Sequence, residues 1–391
     1  MPFISGPDGD LKTAFVSDAW LLDQFVGNTL YGWGSNNLGQ LGDNTIVNKS
    51  NPVQTIAQGN NWKQVSSGYS YSAGVKTDGT LWLWGRGVNG NLGDNTTTNR
   101  SSPVQTVAFG TNWKQVSCGY NHAAAIKTDG TLWCWGNNAN GQLGDNTLTS
   151  RNSPVQTASF GNNWKQVSAG LFYAAAIKTD GTLWLWGFNF YGNLGDNTTT
   201  NRSSPVQTVV FGTNWVQVAC GQYVTAAIKT DGTLWTWGQN GYGNLGDNTT
   251  TPRSSPVQTV AFGTNWKSVA VTSITQTSNM TAAAIKKDGT LWTWGRNNNG
   301  QLGDNTTTNR SSPVQTITFA SNWKQVSCGY GYMAAIKNDG TLWSWGLGTS
   351  GQLGNNAATS RSSPIQTSAS GTNWKQLSLA NFTVAVTNGD I

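Results

Sequence analysis

A chain of 391 residues would by length alone make two or three domains, but 48 glycines, 21 tryptophans and a charged fraction of only 10% point to one repetitive body. All 17 acids are aspartate and glutamate is absent, so the chain is poor helix material, and no stretch approaches the roughly 20 apolar residues of a membrane helix. The net charge of +6 comes from lysines and arginines at fixed repeat positions that never form a run, which argues against nucleic acid as a partner.

Residues 1 to 27 are a non-repetitive leader. It lacks the basic start and apolar run of a secretory signal. Phe15, Trp20, Leu21, Leu22 and Phe25 are too apolar for a solvated tail, so the leader is expected to pack on the main body or to dock into a neighbour as an anchor.

From residue 28 to 391 the chain repeats. The second tryptophan of Leu-Trp-x-Trp-Gly recurs as Trp33, Trp84, Trp135, Trp186, Trp237, Trp294 and Trp345, at intervals of 51 residues except one of 57. An independent Asn-Trp landmark, from Trp62 to Trp374, keeps the same intervals, so there are seven copies and one six-residue insertion between Val271 and Thr281. Within a copy, Ala123 to Gly136 reads as two β-prone runs joined by an Asp-Gly turn, a strong hairpin signal. Trp133 and Trp135 are two apart and share a sheet face. The Ser-Pro-Val-Gln-Thr and Asn-Trp-Lys-Gln-Val runs bring each copy to four strands. Such a unit cannot bury its tryptophans alone and must stack on its neighbours. The chain ends on Phe382 to Gly389, a hairpin strand without its mate, and begins on the missing complement, Asn28 to Gly34. An all-β, seven-bladed propeller closed by pairing of the N- and C-terminal strands is the expected fold. Cys118, Cys220 and Cys328 occupy one slot of three different copies and Cys134 has no obvious mate, so none is expected to pair.

The run Leu132 to Gly144, the Pro-Val strand, and Gly119 to Ala125 with its Gly-x-x-His-x-Ala-Ala pattern resemble the regulator of chromosome condensation repeat family over about residues 28 to 389. The resemblance implies a seven-bladed propeller. It leaves function open, since the family includes nucleotide-exchange factors, a plant ultraviolet photoreceptor and inhibitors of β-lactamase. The family's exchange factors use a protruding wedge, for which this chain has no long insertion. The photoreceptor's Gly-Trp-Arg-His-Thr motif is also missing: the positions after the inner-strand glycine hold Tyr69, Tyr120, Leu171, Gln222, Tyr330 and Asn381.

Catalysis needs convergent titratable groups. Twelve of the 17 aspartates fall either in Leu-Gly-Asp-Asn loops, such as Asp94 and Asp145, or in Asp-Gly turns, such as Asp78 and Asp129, where turn chemistry accounts for them. Calcium in the Asp-Asn-Thr loops is the alternative, weakened by there being one carboxylate per loop. His122, the sole histidine and the one copy matching the family's His slot, reads as a structural remnant before a base. No enzyme, metal or cofactor is expected.

Positions where near-identical copies disagree are informative by themselves. They cluster in two segments, one after Trp-Gly and one after the inner-strand glycine, which hairpin geometry places on a single face of the disc. Nine of the ten tyrosines lie there. The expected binding face is Tyr69, Tyr71, Arg86, Tyr120, His122, Phe172, Tyr173, Phe188, Phe190, Tyr191, Tyr223, Tyr242, Arg296, Tyr330, Tyr332 and Phe382. The alternative is that these rings plug the central channel. The leading functional expectation is a non-enzymatic virion (phage-like) structural, decoration or host-attachment protein on a released particle, with a protein or glycan ligand on the loop face and protein partners in a larger assembly through the leader. Its rival is an intracellular regulatory scaffold that binds a GTPase or chromatin.

Overall fold

The computed structural model describes residues 27–389 apart from 57–58, 108–109, 159–160, 211, 261–262, 273–279, 319 and 370. The anchoring residues expected in the leader and most of the six-residue insertion therefore lie outside the described residues.

Seven four-stranded antiparallel sheets make the body. In blade I the order from the axis outward is Trp62–Ser67, Tyr71–Lys76, Leu81–Gly85 and Arg100–Gln105. Blades II to VI repeat it from Trp113, Trp164, Trp215, Trp266 and Trp323. Blade VII joins the two ends of the chain: Trp374–Leu379 and Phe382–Thr387 continue into Leu30–Gly34 and Lys49–Gln54. Leu30 pairs with Val386 and Gly34 with Phe382, the register that Val75–Leu81 and Tyr71–Gly85 keep inside blade I. Closure therefore adds a hydrogen-bonded ladder that joins the two terminal strands in one sheet.

The blades stack because each presents tryptophan to the next. Trp135 is 0% exposed, and burying its roughly 200 Å² contributes at most ~5 kcal/mol before ordering entropy is subtracted. Its indole Nε1 donates to the Asn91 carbonyl of the preceding blade at 2.9 Å, and Trp33 closes the ring by donating to Gln352 at 3.1 Å. This contact dictates the glycine of each Leu-Gly-Asp-Asn loop. Gly93 has φ +67, and a Cβ there would stand 2.8 Å from Trp135 Nε1. Trp133, on the same sheet face, is only half-buried. Its Nε1 donates to Thr131 Oγ1 at 2.9 Å, and Lys127 Nζ sits 4.4 Å from its ring centroid and 4.9 Å from that of Trp113.

The innermost strands ring a channel of about 190 Å³, lined by Ser66, Cys118, Gln166, Ser168, Cys220 and Ser327 among others. All four cysteines are buried and free; Cys118, Cys220 and Cys328 lie in different blades, and Cys134 shares a blade with Cys118 without pairing with it. Strand direction alternates, so the loops joining first to second and third to fourth strands share one face of the disc, here the loop face. The Asp-Gly turns and the connections between blades share the opposite one, the turn face.

Candidate functional site

Both divergent segments emerge on the loop face, as expected, and four adjacent blades bring their aromatic rings into one arc. Tyr69 of blade I lies 4.5 Å from Tyr120 of blade II, and Tyr120 lies 5.5 Å from Phe172 of blade III. Phe172 meets Phe188 at 6.3 Å, and Phe188 meets Tyr223 of blade IV at 5.4 Å. Phe190 and Tyr191 flank this line, with Tyr191 4.7 Å from Tyr223. Edge-to-face and tilted contacts of this kind hold rings without a covering layer. Phe190 is 65% exposed, and Tyr69, Phe172, Phe188, Tyr191 and Tyr223 are half-buried.

Polar groups border the arc at two places. Arg86 Nη1 donates to Asn121 Oδ1 at 2.8 Å and faces the Tyr120 phenol. Burial pushes the Tyr120 pKa up, Tyr69 adds to that, and the Arg86 charge works against it. Beyond the arc, Arg296 stacks on Tyr242 with its Cζ 5.0 Å from the ring centroid, and Tyr330 of blade VI is half-buried, its amide donating to Ala380 at 2.7 Å.

Several residues expected on this face are in the core instead. Tyr71, His122, Tyr173, Tyr332 and Phe382 are 0 or 1% exposed. They open the second strand of their blades, where the next blade covers them. The Tyr71 hydroxyl donates to the His122 carbonyl, Tyr173 to Val224 at 2.6 Å, and Tyr332 meets Thr383 Oγ1 at 3.0 Å. Tyr120 is 7% exposed and contributes an edge at most. Tyr120 and the fully buried Leu171 belong to one apolar cluster with Ala380, against which Tyr69, Phe172 and Tyr223 pack. Burial thus divides the divergent segments residue by residue, with Leu171 inside and Phe190 exposed. The sequence reading passed over Val88, 46% exposed in the same divergent segment as Arg86, and Asn121, which orients that arginine. Divergence between copies was the signal that could have found both.

The aspartates are engaged in turns. Thr131 holds Asp129 with its amide at 2.9 Å and its hydroxyl at 2.7 Å, and these bonds lower the carboxyl pKa. At Asp94 burial works upward, but the Thr96 hydroxyl, Arg100 and the Thr96 amide together bring the pKa below the ordinary value. Arg100 meets its second oxygen at 2.8 Å. Both carboxylate oxygens are thereby occupied, and the following Asn95 takes the left-handed conformation at φ 61, so turn chemistry explains the loop that calcium was weighed for. Among the described residues no three His, Cys, Asp or Glu side chains are grouped to hold a metal, and no helix is long and apolar enough to cross a membrane. His122 has no exposed surface, and burial brings its pKa down to about 4.

A closed ring of seven blades with one aromatic, loop-built face defines the protein as a propeller of the interaction class. It belongs to the regulator of chromosome condensation (RCC1) repeat family: the RCC1-like domain matches residues 20–283 and the RCC1 repeat matches 288–336 and 339–386. The chain is 32% identical over 347 residues to the ultraviolet-B receptor UVR8 of Arabidopsis thaliana, an alignment that covers 86% of this chain and 77% of the receptor. It is 27% identical to the human E3 ubiquitin-protein ligase HERC2, of which the match takes up 7% against 86% of this chain. In structure it is similar to Prp20p of Saccharomyces cerevisiae, with a TM-score of 0.82, 17% identity, and coverage of 93% of this chain and 92% of the other.

Proposed function

We propose that this protein is a non-catalytic regulatory scaffold that docks a protein partner on its loop face. The observation that carries this is the arc from Tyr69 to Tyr223, built at positions where otherwise near-identical repeats diverge and ending in the exposed ring of Phe190. A core of aromatic rings with hydroxyl and arginine edges is the composition of an interface hot spot. The relatives support protein binding: Prp20p is described with binding properties toward Gsp1p and histones, and yeast RCC1 (Prp20) has been seen bound to Kap60. They favour the regulatory scaffold over the virion role, for which none of them speaks.

The test is affinity capture with the full chain as bait, compared with a Phe190→Ser, Tyr191→Ser, Tyr223→Ser variant whose circular dichroism is unchanged. A defined protein set should be retained by the wild type and lost by the variant, each hot-spot ring being worth about tenfold or more in affinity. Equal retention by both would remove the arc from the reading. Arc-dependent binding on a glycan array, with no protein partner, would move the function to attachment.

A further inference from the structure

The aspartates of the repeats are matched by basic partners, and of the basic groups left over, besides Arg86 and Arg296 on the loop face and Arg361 on the rim, the largest set gathers in one place. On the rim, Asp43, Asp94, Asp145, Asp196, Asp247 and Asp304 each meet a lysine or arginine within 3.6 Å. On the turn face, each Asp-Gly aspartate feels the lysine two residues before it, as Asp129 feels Lys127, and that lysine is itself sandwiched between tryptophans. That set is the lysine after each Asn-Trp: Lys63, Lys114, Lys165, Lys267, Lys324 and Lys375. All six are exposed, and none has an ion pair among the described residues. Among the described residues only Lys375 of the six has a hydrogen-bonded partner, the neutral Asn28 Oδ1 at 3.2 Å.

Their placement follows from the fold. Each is the second residue of an innermost strand, at a bulge where the ladder slips, as between Trp62 and Gln64. Because the innermost strands ring the channel and begin on the turn face, the six lysines crown its mouth there, on the opposite side of the disc from the aromatic arc. Blade IV has Val216, 39% exposed, in the seventh position. Lys287, also exposed, adds a further positive charge on the same face. Between Lys324 and Lys375 a cleft of about 380 Å³ is lined by Asn338, Gly340, Thr372, Asn373 and Asp339, whose carboxylate is taken by Thr341.

We propose that this lysine crown is a second interaction surface, independent of the arc, and that it takes an acidic polypeptide segment. Six like charges held around one narrow opening create a positive potential that nothing else on the described surface offsets. Each surrounding Asp-Gly turn carries an aspartate matched by its own lysine, so the attraction stays within the crown, and one narrow opening suits a single acidic strand better than a wide duplex.

The test is fluorescence anisotropy of a labelled ten-residue aspartate/glutamate peptide against the full chain. Binding should weaken steeply between low salt and 0.15 M, as for exposed charges beyond a Debye length of about 8 Å. The Lys114→Gln, Lys165→Gln, Lys267→Gln variant should bind at least tenfold more weakly, Val216→Lys should bind more tightly, and Arg361→Gln on the outer rim should bind as the wild type does. The proposal is overturned if the triple variant keeps wild-type affinity, if Arg361→Gln loses as much as the triple variant, or if duplex DNA of equal charge binds the crown more tightly than the peptide.

Discussion

Gln166 clasps Val218 of the next blade with both ends of its amide: Nε2 donates to the Val218 carbonyl at 3.0 Å and Oε1 accepts from the Val218 amide at 3.1 Å. A side chain thus does across a blade seam what a backbone ladder does within a sheet. Gln64, Gln115, Gln217 and Gln325 make the same double bond to Val116, Val167, Val269 and Leu377. Blade V departs from the pattern, with Ser268 in the glutamine position and its buried hydroxyl unpartnered. Gln166→Ala should therefore cost about 2 kcal/mol by leaving two backbone groups unsatisfied, and Ser268→Gln should gain about 1 kcal/mol. Urea unfolding midpoints, lower for the first variant and higher for the second, are the check.

Tyr173 and Phe190 lie on the same side of the disc and should behave oppositely. Tyr173→Phe removes the hydroxyl that donates to Val224 and accepts from the Gly221 amide at 3.1 Å, so it should lower stability by about 1 to 2 kcal/mol and leave partner binding intact. Phe190→Ser, at a ring 65% exposed, should leave the unfolding midpoint in place and weaken the partner. Paired melting and binding curves separate the two.

His122 is the only histidine of the chain, so the window between about pH 5 and 6.5 belongs to it, while the aspartates held below their ordinary pKa add to any loss of stability below about pH 5. Its folded pKa lies at about 4, below the unfolded value near 6.5, because the interior disfavours the imidazolium. The unfolded state therefore binds the extra proton, and stability that is full above about pH 6.5 should decline, by on the order of 3 kcal/mol, as pH falls towards 4. His122→Tyr, which restores the residue found in this slot as Tyr71, Tyr173 and Tyr332, should flatten that decline in denaturation curves taken across the window.

Burial pushes the Cys118 and Cys220 thiols up to about 12 and raises Cys134 and Cys328 as well. A thiol reagent at pH 8 should label none of the four in the native protein within minutes and all four in guanidinium. Fast native labelling at Cys134, which does not line the channel, would mean that a blade seam opens.

Tyr69 and Tyr71 show where reading the sequence stopped. They are the same residue type two positions apart in a divergent segment, yet Tyr69 is half-buried on the loop face and Tyr71 is 1% exposed. The first lies within a connecting loop and the second begins a strand whose neighbour lies 51 residues away, at His122. Lys63 failed in the opposite direction. It recurs in nearly every copy, so comparing copies drew no attention to it, and its charge became prominent only once its neighbours' charges were seen to cancel.

Blade number, the marriage of Leu30–Gly34 to Phe382–Thr387, and the side on which the divergent loops emerge were all determined by the sequence itself, because period, alternation and strand count are properties of a single line of residues. The split of the aromatic segments into core and surface, and the gathering of six distant lysines at one channel mouth, were decided only in three dimensions. Burial and electric potential depend on what a neighbouring blade places a few ångströms away, and that distance is set by the closing of the ring.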